Sequence, residues 1–235
     1  MAIHEFPELL PDEILERAKK LNPALLADGM KGMGIPQDGA MEAAIMPVNP
    51  DPALTMVGTA VTIETANGDN FPIHVASYSA PAEGYVMVID GKNYPNKAYF
   101  GDLIMGACKA VGYAGMVIDG YTRDRQGCIE MNYPVFSKGQ MQAGPIKKDM
   151  GEINVPIVCG GVRVMPGDLV VGGADGITVV PRDKIEEVLR NAEEKAAYEE
   201  KREATIAAYN EAKKNGTPLP QLAPKWVLDL LDAMK

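Results

Sequence analysis

Arg123 and Asp124 stand side by side directly after the run Met116-Val117-Ile118-Asp119-Gly120-Tyr121-Thr122. The pair offers a planar guanidinium that can clamp a carboxylate and a hard oxygen ligand for a divalent cation. The plain alternative is a solvated turn pair; placement at a strand end favours function. A second feature, Gly101-Asp102-Leu103-Ile104, begins a helical pattern, and the unpaired N–H groups of a helix start form a carboxylate or phosphate site. Asp102 there reads as an N-terminal charge or cap that also faces a ligand. His74, one of two histidines in the chain, reads first as a packed, hydrogen-bonded side chain. Cys128 follows Asp124 by four residues with no histidine nearby in sequence, which argues against a thiol nucleophile. Asp90 and Asp119 close strands before glycine, and Asp175 reads as a hairpin residue. The chain has no P-loop, no GxGxxG after a strand, no HExxH and no CxxC.

The elements around these residues follow from periodicity. Tyr85 to Asp90 and Gly115 to Asp119 are continuous apolar runs, and Gly101 to Val111 between them carries Leu103, Ile104, Ala107 and Val111 at helical spacing. A run, a helix and a run make a βαβ unit with parallel strands, so ligands are expected beyond Asp90-Gly91 and Asp119-Gly120. The sequence Met-Val-Ile-Asp-Gly occurs at both strand ends. The first copy, Met87 to Gly91, is expected to wall the site that the second helps to form. Upstream, Pro11 to Leu21 and Leu25 to Met33 are helical candidates, Leu54 to Thr65 a strand, and Ile73 to Tyr78 a short helix. From Tyr133 to Pro181 short strands alternate with turn residues such as Pro166-Gly167-Asp168, predicting antiparallel or mixed β structure. Arg182 to Lys214 is a long charged helix with the apolar stripe Ile185, Val188, Leu189, Ala192 and Ala196. Glu199 and Glu203 fall on that stripe where apolar residues would continue it, so either the helix leaves its core there or those carboxylates have a task. Trp226 to Met234 forms an amphipathic tail.

Composition narrows the partners. A formal charge of −9 is the wrong sign for following a nucleic-acid backbone and weighs against anionic membranes. No stretch approaches the roughly 18 apolar residues of a membrane span. The start, Met1-Ala2-Ile3-His4-Glu5, lacks the pattern of a secretory signal. Three cysteines without pairing or metal-type spacing suit a reducing compartment, so the expected location is the cytoplasm.

Gly101-Asp102-Leu103, the run from Gly115 to Asp124, Tyr133-Pro134-Val135-Phe136, Pro166-Gly167-Asp168 and Asp175-Gly176-Ile177 together resemble the RraA-like family. The resemblance spans residues 25 to 181, and the segment ending in Arg123-Asp124 is its most specific part. This family includes 4-hydroxy-4-methyl-2-oxoglutarate and 4-carboxy-4-hydroxy-2-oxoadipate aldolases and the regulator of ribonuclease activity A. The resemblance implies a layered α/β domain of the swivelling β/β/α type over 1–181, with a central mixed sheet. The helical extension at 182–235 would pack on a neighbouring subunit. It further implies a homotrimer or homohexamer with sites between subunits, Asp124 as ligand of Mg²⁺ or Mn²⁺, and Asp102 ordering a metal-bound water. Arg123 and the Leu103 and Ile104 N–H groups would hold the pyruvyl part of the substrate. Glu199 of a neighbouring subunit would complete the site, and Asn70, His74 and Lys147 would contact the rest of the substrate. The tail after Gly216 and the segment Gly172-Gly173-Ala174 depart from the family pattern, which bears on the substrate more than on the metal site.

The expected function is a metal-dependent aldolase that releases pyruvate from a 4-hydroxy-2-oxo acid, with oxaloacetate decarboxylation as a side activity. The rivals are a non-catalytic regulator binding a ribonuclease and an enzyme of the same scaffold acting on another small acid. The long helix bearing Glu199 favours the aldolase, because the short regulators resemble the core alone.

Overall fold

A computed structural model describes residues 2–79, 82–148 and 151–234. It divides into two compact units, Met1–Ala192 and Glu193–Lys235. The division thus lies inside the long helix, after the 181/182 border expected from sequence.

The first unit opens with β1 (Ala2–Ile3), α1 (Asp12–Ala18) and α2 (Pro23–Met30). The Asn22 side chain caps α2 by accepting the Leu25 N–H at 2.8 Å, and Pro23 takes the first helical position. Next come β2 (Met46–Pro47), β3 (Met56–Glu64), α3 (Phe71–Ser79) and β4 (Tyr85–Asp90). β5 (Ala98–Phe100), α4 (Asp102–Val111), β6 (Gly115–Ile118) and β7 (Tyr121–Thr122) follow. After α5 (Arg125–Met131), the chain forms β8 (Val135–Ser137), β9 (Gly139–Gln140) and β10 (Glu152–Ile153). Two hairpins complete the β structure, β11 (Ile157–Cys159) with β12 (Val162–Val164), and β13 (Leu169–Gly173) with β14 (Gly176–Val180).

The central sheet is mixed, as the sequence predicts. Strands β3, β4, β6 and β8 run parallel, with Val61, Met87, Met116 and Val135 in one row. β10 and β13 pair antiparallel with β3, and β2 pairs antiparallel with β8. Alternation along β4 sends Met87 and Ile89 to one face and Val86 and Val88 to the other. The first face packs against Ile73 and Ala76 of α3 and Ile104, Met105 and Cys108 of α4. The second packs under the β11–β12 hairpin through Ile157, Cys159, Val162 and Val164. Both faces are therefore covered, which is why β4 and β6 read as unbroken apolar runs. Helix α4 stops at Gly112, whose φ of 105° supplies a left-handed C-cap.

A 3-10 turn at Arg182–Lys184 leads into α6 (Ile185–Asn215), and α7 (Lys225–Ala233) ends the chain. In α6 the buried residues are Ile185, Val188, Leu189 and Ala192. The buried stripe thus stops at Ala192, short of Ala196, which the sequence places on it, and before Glu199. No described helix is long and apolar enough to cross a membrane.

Candidate active site

A small parallel sheet, β5–β7–β9, carries the chemistry-bearing residues. The Arg123 N–H donates to the Phe100 carbonyl at 3.0 Å. This bond joins the residue before Gly101 to the Arg123-Asp124 pair. Gly101 is the N-cap of α4, in extended backbone and without a side-chain cap, so the first-turn N–H groups have no intrahelical partner. A Cβ at position 101 would lie 2.0 Å from Asp124 Oδ2 and 2.9 Å from Arg123 Cγ. Close approach, rather than its own φ, requires glycine there. Asp124 adopts the left-handed conformation, φ 56°, at the N-terminus of α5. Asp is among the non-glycine types that hold that geometry most readily, and six other non-glycine residues among those described also have a positive φ. Arg123 Nε contacts Asp124 Oδ2 at 3.2 Å. Asp102 lies against Gly127 of α5, where an added Cβ would stand 2.9 Å from the Asp102 Cβ.

These residues line one cavity of about 290 Å³. On one side are Asp102, Leu103, Ile104, Arg123 and Asp124; on the other are Asn70, His74 and Lys147. Every site residue expected from sequence in the first unit therefore meets in one place. Glu199 does not line it. Glu199 belongs to the second unit, where its carboxylate pairs with Lys195 at 3.3 Å. Phe100, Gly144 and Pro145 also line the cavity and had no sequence signal.

The far wall is held by backbone and buried polar groups. The Asn70 amide donates to the Tyr99 carbonyl at 2.7 Å, and the His74 N–H donates to the Asn70 carbonyl at 3.1 Å. Burial first, and the Lys147 charge second, lower the His74 pKa below the ordinary histidine value. The cysteines offer no alternative nucleophile. All three are buried and free, and burial pushes the Cys108 and Cys128 thiols up to about 11.

Two expectations are corrected. The strand ends Asp90-Gly91 and Asp119-Gly120 do not line the cavity, and the first Met-Val-Ile-Asp-Gly copy is not its wall. Tyr99 occupies the space over those ends. Its hydroxyl accepts from the Gly68 N–H at 2.9 Å and donates to the Gly91 carbonyl at 2.5 Å. A Cβ at Gly120 would meet its ring at 3.1 Å. The two aspartates are instead paired with lysines, Asp90 with Lys92 at 2.6 Å and Asp119 with buried Lys138 at 2.7 Å. Arg123-Asp124, read from sequence as a functional pair at a strand end, stands at the junction of β7 and helix α5, a helix that carried no sequence expectation.

The family model for RraA-like proteins, described as Aldolase/RraA, matches residues 24–179. A Halalkalibacterium halodurans protein with the name "Putative 4-hydroxy-4-methyl-2-oxoglutarate aldolase" is 42% identical over 167 residues, which cover 71% of this chain and 78% of that protein. Among solved structures, an uncharacterized Pseudomonas syringae protein aligns with a TM-score of 0.69 at 28% identity, over 90% of this chain and 97% of its own. A Streptomyces coelicolor protein described as an unusual member of the RNase ES inhibitor RraA family gives a TM-score of 0.70 at 23% identity over 81% of this chain and 96% of its own, a likeness of fold. The matched segment contains every residue that lines the cavity, and the chain belongs to the RraA-like family.

Proposed function

We propose that the protein is a divalent-metal-dependent aldolase, a carbon–carbon lyase that cleaves a 4-hydroxy-2-oxo acid to pyruvate and a second oxo acid. One observation carries this reading: a helix N-terminus, an arginine and a carboxylate cradled against a glycine meet in a single cavity. The Leu103 and Ile104 N–H groups and the Arg123 guanidinium suit the substrate's C1 carboxylate. Asp124 would hold Mg²⁺ or Mn²⁺, and Asp102 would order a water on that ion. The residues fit such an ion. Gly101 leaves the space that the Asp124 carboxylate occupies. No cluster of three His, Cys, Asp or Glu stands among the described residues, which suits an ion held by one or two carboxylates, water and substrate oxygens. When bound, the ion supplies Lewis acidity at the C2 oxygen, where negative charge develops.

The remaining chemistry falls to side chains. His74, kept neutral by burial and Lys147, accepts the proton of the C4 hydroxyl. The electrons of that O–H bond form the new C4 carbonyl, and those of the C3–C4 bond pass toward the C2 oxygen. Protonation at C3 then yields pyruvate. Oxaloacetate follows the same electron flow with carbon dioxide leaving, which makes decarboxylation a side activity. Asn70 and Lys147 contact the remainder of the substrate. Glu199 of a neighbouring subunit, in a trimer or pair of trimers, completes the site.

The test is pyruvate release from 4-hydroxy-4-methyl-2-oxoglutarate and from oxaloacetate, with Mg²⁺ and with a chelator. Turnover that requires the metal is expected with both, and Asp124→Ala should abolish it without unfolding the protein. Absence of metal-dependent turnover with either acid would sink the aldolase reading and leave the non-catalytic regulator.

A further inference from the structure

The wall that carries Asn70, His74 and Lys147 is built from two segments far apart in the chain, 68–74 and 145–148. Asp69, fully buried, stands at their junction. One of its carboxylate oxygens accepts the Phe71 N–H at 2.9 Å, where α3 begins, and the other accepts the Lys148 N–H at 2.7 Å. Backbone bonds join the same segments beside it. The Ile146 N–H donates to the Gly68 carbonyl at 2.9 Å, and the Asn70 N–H donates to the Ile146 carbonyl at 3.1 Å. Lys147 lies between Ile146 and Lys148 and makes no hydrogen bond or ion pair among the described residues. Its place in the cavity is therefore set by the chain on either side. Lys148 has an exposed side chain, and its N–H is what joins it to the wall. A carboxylate held on backbone N–H groups is a strong, fixed acceptor.

We propose that Asp69 is a positioning residue, whose carboxylate clasps the Lys148 N–H to the start of α3 and so holds the Lys147 ammonium beside His74. The inference rests on the aldolase reading above, in which neutral His74 is the base. After burial, the Lys147 charge is what disfavours the imidazolium, so a Lys147 set loose lets His74 protonate more readily. The other charges around His74 are accounted for. Asp102 on α4 and Asp124 share the cavity and favour the cation, while Arg123, engaged with Asp124 at 3.2 Å, opposes it. On the elements packed against α3, Glu64 of β3 is paired with Lys92 and Glu152 of β10 lies 3.5 Å from His4. Lys109 of α4 donates to the Met131 carbonyl.

The test follows His74 in the full-length protein with Mg²⁺, by proton NMR titration in a His4→Gln background that leaves one imidazole. Lys148→Pro removes the clasped N–H, and Lys148→Ala, which keeps it, controls for the lost charge. Lys147→Met sets the scale. The His74 pKa should rise in Lys147→Met, and rise by about half as much or more in Lys148→Pro over Lys148→Ala. Both should stay below the ordinary histidine value, because burial persists. Adding Lys148→Pro to Lys147→Met should bring no further rise, since the clasp acts through that charge. If proline unfolds the protein, Asp69→Asn is read in the same way: its amide oxygen keeps the Phe71 bond while its NH₂ faces the Lys148 N–H. Equal His74 values with and without the clasp, no rise in Lys147→Met, or a further rise in the double variant each overturn the proposal and leave the aldolase reading standing. In cleavage of 4-hydroxy-4-methyl-2-oxoglutarate, the acid limb of the pH profile should move up with the titration. If the titration moves while wild type cleaves nothing, the clasp stands and the aldolase reading falls.

Discussion

Gly101 shows how one residue type can be fixed by its neighbours. Its backbone is extended and open to any residue, yet an added methyl group would collide with the Asp124 carboxylate at 2.0 Å. Gly101→Ala should keep the fold while displacing that carboxylate, lowering affinity for Mn²⁺ by about 10–100-fold. Titration with Mn²⁺ followed by electron paramagnetic resonance, beside a thermal melt, checks both halves. His74 carries the second prediction at this scale. Its pKa lies below the ordinary histidine value because burial and Lys147 disfavour the cation, so wild-type activity should persist on the acid side of that value and fall only as the imidazole protonates. His74→Gln should lower kcat on the order of 10²-fold and remove that acid limb from the pH profile. Arg123 and Asp124 were legible in the sequence because a cation and a carboxylate stand together directly after a strand, where ligands of parallel sheets bind. Asn70 and Lys147 carried no such mark, and only the family resemblance brought them forward.

At the scale of elements, the β13 turn and the start of the C-terminal helix are tied by one buried carboxylate. Asp168 accepts the Met165 N–H at 2.8 Å and the Arg182 N–H at 3.0 Å. Burial outweighs those hydrogen bonds and raises its pKa from 3.8 to about 6. A carboxyl with a raised folded-state pKa contributes stability that is complete below its unfolded value and lost as pH rises through the folded one. Relative to Asp168→Asn, wild type should therefore lose on the order of 2–3 kcal/mol between about pH 4 and pH 6. Denaturant unfolding of both proteins across that range measures it; parallel curves would contradict the assignment. The long apolar elements β4, α4 and β6 were legible because burial on both faces demands unbroken apolar runs. β5, β7 and β9 were not, since two or three residues cannot display a period. That small sheet moves the site off the strand ends where the βαβ rule placed it.

Across the whole chain, the question is what the charged extension does. The apolar stripe of α6 ends at Ala192, and Glu199 lies beyond it on a segment that forms part of a separate compact unit. In the first unit, Leu103 at the cavity is 84% exposed. Glu199→Ala should lower kcat on the order of 10²-fold while leaving the melting temperature and the oligomeric mass by sedimentation unchanged. An unchanged rate would return the extension to a structural role.

By itself the sequence determined the α/β class, the mixed sheet, the βαβ unit and the long helix, and it marked Gly101, Asp102, Arg123 and Asp124 as candidates for one site. Each of these is written in local periodicity or in chemistry carried by adjacent residues. Only the tertiary structure decided that Tyr99 stands against Gly91 and Gly120, that Asn70, Lys147 and Arg123 line one cavity, and that Arg125 lines a second cleft. Those relations join residues far apart in the chain or depend on a left-handed residue, Asp124, whose conformation no local periodicity displays.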